Sequence, residues 1–273
     1  MIVIEIAAAI VGLIVAYFIG KRIVHNSSRK KLLNAGLPEE YTRIIEKNVP
    51  LYRRLPDSLK RQLGGLINVF LADKHFEGCG GLEITDEIKV TIAAQACVLL
   101  LNRKTKYFPR LGTILVYPHT YVAKSVSSEG GVVAEERSVR LGESWERGPV
   151  VLAWDSVRGG TSNAVDAQNV VIHEFAHQLD QENGDADGAP ALGNRSRYRA
   201  WAQVLSAEYE ALQKKRETRS RSVMDKYGAT DPAEFFAVAT ETFFEKSGQM
   251  RKNHPELYEE LKDYYKLDPA EWA

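Results

Sequence analysis

Hydrophobic positions fall into two regimes along this chain. Ile2 to Ile19 reads IVIEIAAAIVGLIVAYFI, with Glu5 as its single charge. As a helix this run spans roughly 27 Å, close to the hydrocarbon thickness of a bilayer. Tyr17 and Phe18 fall where an interface would lie, and Lys21, Arg22, Arg29, Lys30 and Lys31 follow. Basic residues on that flank alone predict an N-terminus outside and a body in the cytoplasm. Residues 1–20 therefore read as a transmembrane anchor, and residues 21–36 as a basic juxtamembrane linker.

From residue 37 the pattern becomes periodic. Leu59, Leu63, Leu66, Ile67 and Phe70 recur every three or four positions behind the start signal Leu55-Pro-Asp-Ser, which predicts a helix. Thr85-Asp-Glu-Ile opens another, with Val90, Ala94, Cys97, Val98 and Leu101 on one face. Thr113-Ile-Leu-Val-Tyr, between Gly112 and Pro118, reads as a strand, and so does the stretch from Gly148 to Asp155. Val132-Val-Ala and Ser138-Val-Arg-Leu read as the arms of a hairpin around charged residues 135–137. Loop signals from Gly159 to Asn163 precede helices that run to the end. Helices, a few strands, then helices predict an α+β domain over residues 37–273.

Composition narrows the function classes. The 273 residues are 44% hydrophobic and 26% charged, as in a folded protein. Lys plus Arg and Asp plus Glu number 36 each, so no global basic field favours direct nucleic-acid binding. That zero averages a basic N-terminal segment and a slightly acidic body. The two cysteines, Cys79 and Cys97, stand outside any CxxC pattern and exclude a cysteine zinc module or a disulfide scaffold.

The chemistry lies in His173-Glu-Phe-Ala-His177. On a helix, positions i and i+4 share a face, so both imidazoles can bind one Zn²⁺ while Glu174 reaches a water on the metal. Val171, Phe175 and Leu179 form the opposite, buried face, and Asp166 or Asn163 is the expected cap. A catalytic zinc takes three protein ligands. His25, His75, His119 and His254 stand in poor contexts for the third, and no histidine follows at metzincin spacing. Asp231-Pro-Ala-Glu234 opens a later helix that carries Glu241 seven residues on, so either glutamate is a candidate. Helix capping is the competing role for Glu234. Tyr227 could donate to an oxyanion, although its position alone favours a packing role.

With these residues, the strand Gly148-Pro-Val-Val-Leu, Asn183-Gly-Asp and Asp225-Lys-Tyr-Gly-Ala-Thr-Asp-Pro-Ala-Glu-Phe-Phe-Ala-Val together resemble the Mlc titration factor A family of bacterial zinc peptidases. The likeness runs from about Leu55 to about Pro269, leaving the N-terminal segment as a departure. It implies a zincin-like fold related to the anthrax lethal factor protease domain, one zinc ion, and a peptide substrate. It implies His173, His177 and Glu234 as ligands, Glu174 as general base and Tyr227 at the oxyanion. Asp180 and Glu241 then become candidates for orienting the ligating histidines. The family's partner, the repressor Mlc, makes a membrane-tethered protein that captures a transcriptional repressor the alternative to a peptidase. The strand Val150 to Trp154 is expected to hold an extended peptide along its edge.

Overall fold

The computed structural model describes residues 26–103, 107–119, 121–129, 132–140, 142–144, 148–162 and 168–272, with Gly12, Tyr17, Gly20 and Lys21 before them. Residues 26–34 are helical (α1), followed by α2 (Glu39–Asn48), α3 (Pro50–Arg54) and α4 (Asp57–Asp73). Strand β1 (His75–Gly78), helix α5 (Asp86–Val98) and strands β2 (Thr113–Tyr117), β3 (Tyr121–Glu129), β4 (Val132–Arg140), β5 (Gly142–Ser144) and β6 (Val150–Ala153) come next. Helices α6 (Trp154–Ser162), α7 (Val170–Asp180), α8 (Arg195–Glu217), α9 (Pro232–Glu245), α10 (Ser247–Asn253) and α11 (Pro255–Tyr265) complete the order. This is the α+β arrangement expected, mostly helical around a small sheet.

That sheet has the order β1-β2-β6-β5, with β1, β2 and β6 parallel and β5 antiparallel. Ile114 and Val116 of β2 face the core, opposite Val150 and Leu152 of β6. β6 lies between β2 and β5, so it has no free edge for a peptide, contrary to the expectation for Val150 to Trp154. The free edge on that side belongs to β5. The hairpin also differs. Both expected arms, the second as far as Arg140, lie on β4, which pairs along its length with β3, and Leu141 lies outside the described residues. The charged triplet 135–137 continues the strand, and the chain reverses after Glu129, where the sequence has Gly130-Gly131. Helix α6 occupies the stretch 159–162 read as loop and buries its own Val157.

Helix α5 was expected to bury one face, yet Val90 through Val98 are all buried. An apolar helix without a polar stripe is a central one, and α5 packs among α2, α4 and α7. Thr85 caps it through Ile88 N, as the sequence suggested. Phe70 of α4, Phe108 and Phe175 of α7 form an aromatic cluster with ring centroids 4.9 to 6.2 Å apart. Cys79 and Cys97 are free thiols.

The stretch read as a linker is partly built into the fold. α1 lies against α4, where a side chain at Gly65 would come within 2.2 Å of Leu33 O, so only glycine permits the approach. Asn68 Nδ2 donates to Leu32 O and Ala35 O, and Arg29 pairs with Asp73 at 2.6 Å. The apolar run 1–20 lies outside the described residues apart from Gly12, Tyr17 and Gly20. Among the described residues no helix is long and apolar enough to cross a membrane.

Candidate metal centre

Two antiparallel helices supply the site. Helix α7 starts at Asn169, whose Oδ1 accepts from Ile172 N at 3.0 Å. The cap is therefore Asn169, and the residues named for it from sequence, Asn163 and Asp166, lie outside the described residues. Val171, Ile172, Phe175, Ala176 and Leu179 bury the helix in the core. His173 and His177 stay on its partly open side, with side chains 14% and 12% exposed. Helix α9 starts as its sequence predicts, with Pro232 in the first turn and Asp231 Oδ1 accepting from Glu234 N at 2.9 Å. The Glu234 carboxylate does not turn back to cap. It points across to α7.

There three donor atoms converge. Glu234 Oε2 lies 2.9 Å from His173 Nε2 and 3.6 Å from His177 Nε2, and the two nitrogens are 3.2 Å apart. Ligands held about 2.0–2.1 Å from a tetrahedral ion stand about 3.3 Å from one another, so the three separations bracket that value. His173 Nδ1 meets Glu241 Oε1 at 2.7 Å. A ring that donates Nδ1–H to a carboxylate leaves Nε2 as a bare lone pair. Nε2 then converges with a second imidazole nitrogen and a carboxylate oxygen, and a proton or a metal cation can hold the three together. Among the described residues, His173, His177 and Glu234 are the group of side chains close enough together to hold a metal ion.

The electrostatics follow from that crowding. Burial pulls the His173 imidazole down, but Glu241 and Glu234 override it and hold the ring well above its ordinary value. Burial raises Glu234, yet its hydrogen bonds with His173 and His177 keep it well below the carboxylate range. Glu174 is 5% exposed, its Oε2 has no hydrogen-bond partner among the described residues, and burial pushes it up to about 7. Burial likewise raises Glu241. Tyr227 sits on a 3-10 turn, Lys226–Ala229, capped by Asp225 Oδ1. Its ring centroid is 6.0 Å from that of His173 and the residue is half exposed. Partial desolvation and then the Glu234 charge push its phenol up to about 12.

Five of the residues named from sequence, His173, Glu174, His177, Glu234 and Glu241, thus come together, with Tyr227 beside them. Asp180 is placed differently. Its Oδ2 accepts from Gly188 N at 2.8 Å, a contact with the following loop rather than with His173 or His177. The sequence reading missed Asn169 and Glu245. Asn169 Nδ2 donates to Glu245 Oε1 at 3.0 Å, tying the start of α7 to the end of α9. The available signals were an Asn just before the apolar run and a Glu one turn beyond Glu241.

Comparison with known proteins agrees with this geometry. The family model described as glucose-regulated metallo-peptidase M90 matches residues 24–266. An uncharacterized protein of Synechocystis sp. is 42% identical over 258 residues, covering 94% of each chain. A protein named Mlc titration factor A from Klebsiella pneumoniae is 32% identical, covering 87% of this chain and 89% of its own. One of the same name from Escherichia coli is 31% identical, covering 82% and 85%.

Proposed function

Because the chain belongs to the glucose-regulated metallo-peptidase M90 family, we propose that it is a zinc-dependent peptidase of zincin-like fold. The observation that carries this reading is the convergence of His173 Nε2, His177 Nε2 and Glu234 Oε2 beside the buried carboxylate of Glu174. Two imidazoles and a carboxylate suit zinc and leave a fourth position open. Zinc, when bound, supplies Lewis acidity to a water and to the scissile carbonyl.

The chain's own residues do the rest. Glu174 takes a proton at Oε2 from the attacking water and passes it to the departing amine. An acid held near 7 is suited to both halves of that transfer. Tyr227 donates its O–H to the carbonyl oxygen as negative charge builds there. A phenol held near 12 keeps that proton at neutral pH. Glu241 fixes the His173 tautomer. The free edge of β5 supports an extended peptide lying beside Gly142–Ser144.

The body is proposed to be held at the cytoplasmic face of the inner membrane through residues 1–20. The support is the apolar run and its basic flank. Reporter fusions at the two ends test the orientation, and a reporter active outside when fused after residue 273 overturns it.

The names of the Klebsiella and Escherichia relatives favour a second reading, capture of a transcriptional repressor such as Mlc. Glu174→Gln separates the two. A peptidase keeps its zinc and loses about 10²–10⁴ in peptide hydrolysis. A protein that only captures its partner works unchanged, and full hydrolysis by a zinc-loaded Glu174→Gln protein overturns the mechanism.

A further inference from the structure

Gly188 lies in the loop between α7 and α8, and three neighbours fix it. Its N–H donates to Asp180 Oδ2 at 2.8 Å, and its carbonyl accepts from Trp201 Nε1 at 2.9 Å. Its Cα faces the backbone of Pro232 so closely that a Cβ would stand 2.4 Å from Pro232 O. Its φ of +77° is one that side-chain-bearing residues rarely adopt. Asp180 is wholly buried and Trp201 is 1% exposed, so neither anchor yields easily.

These contacts connect the two halves of the metal centre. Asp180 stands about one helical turn past His177 on α7. Pro232 stands two residues before Glu234, in the first turn of α9. We propose that Gly188, held by Asp180 and Trp201, is a positioning residue that sets the separation of Glu234 from the histidine pair, and with it the affinity and geometry of the metal site. The inference rests on the metallopeptidase reading and assigns Asp180 a role through Gly188 rather than through a histidine. Any side chain at position 188 forces the loop and the first turn of α9 apart by more than roughly half an ångström at this contact. Metal–ligand distances tolerate only about 0.2 Å. The displacement therefore exceeds what the donor set can absorb.

The test uses the purified full-length chain, with Zn²⁺ affinity from chelator competition and the visible spectrum of the Co²⁺-loaded protein as readouts. Gly188→Ala is expected to weaken Zn²⁺ at least about tenfold and to alter the Co²⁺ bands, while the metal-free protein still melts cooperatively. Asp180→Ala is expected to act in the same direction. Asp180→Asn, whose amide oxygen still accepts from Gly188 N, is expected to restore both readouts. Folded Gly188→Ala and Asp180→Ala proteins with wild-type affinity and spectrum overturn the proposal. Should Gly188→Ala fail to fold, the Asp180 pair decides, and equal behaviour of the Ala and Asn variants overturns it. A wild-type chain that binds neither ion overturns the metallopeptidase reading itself, and this inference with it.

Discussion

Replacing Glu241 by Gln isolates one interaction of the metal centre. The carboxylate is 4% exposed and its Oε1 lies 2.7 Å from His173 Nδ1. Gln has the same shape and still offers an oxygen to the Nδ1–H, so packing and tautomer survive while the negative charge goes. The metal-free protein loses a carboxylate that burial disfavours but that also pairs with the His173 ring, so the two effects oppose and its stability should change little. The loaded protein loses the charge that makes His173 a stronger donor to the ion, an effect worth 10–100-fold in metal affinity at comparable sites. That is about 1.4–2.7 kcal/mol. By linkage, the stabilisation that saturating zinc confers falls by the same amount. Denaturant unfolding with and without zinc, beside a chelator titration, measures both halves. A folded Glu241→Gln protein whose zinc affinity stays within threefold of wild type would refute the argument that this contact tunes the ligand.

Three further outcomes are expected. Phe175→Ala, which removes a fully buried ring from the cluster with Phe70 and Phe108, should cost about 3–5 kcal/mol in denaturant unfolding; a loss below about 1 kcal/mol contradicts the packing described. Asp231→Ala should cost about 1 kcal/mol and loosen the first turn that carries Glu234, with Asp231→Asn recovering most of it; equal melting of the two variants counts against the cap. Burial pushes Asp180 up to about 7, above the ordinary carboxyl value of an unfolded chain. Its contribution is therefore full below about pH 4 and lost as pH rises through 7. In metal-free protein Asp180→Asn should flatten this part of the stability–pH curve by on the order of 2–4 kcal/mol, and an unchanged slope between those pH values sinks the assignment.

Much of the site was legible because its chemistry is local. His173, Glu174 and His177 depend only on helical spacing, and Asp231 with Pro232 announces the start of α9. The choice between Glu234 and Glu241 was not legible, because residues seven apart share a helix face. Both meet the same ring, Glu234 at Nε2 and Glu241 at Nδ1, and only the packing of α9 against α7 decides which nitrogen each takes. The role of Asp180 was misread for the same reason, since Gly188 approaches it from a loop eight residues on. In the fold, the strand Thr113–Tyr117 was plain. The one-faced reading of α5 failed because a helix surrounded by α2, α4 and α7 needs no polar stripe, and periodicity cannot show what lies on the far side. The edge status of Val150–Ala153 depended on β5, three residues long and too short to carry a pattern.

The bond from Asn169 to Glu245 has a consequence for divergence among relatives. Antiparallel helices joined where one begins and the other ends cannot slide in register without breaking a buried hydrogen bond and the helix cap that shares the Asn side chain. The spacing of the donor set is thus inherited from a register between two rigid rods, leaving most of the surrounding loops free to lengthen, shorten or change sequence. Within such a lineage, the walls around the centre can change while its dimensions stay constant.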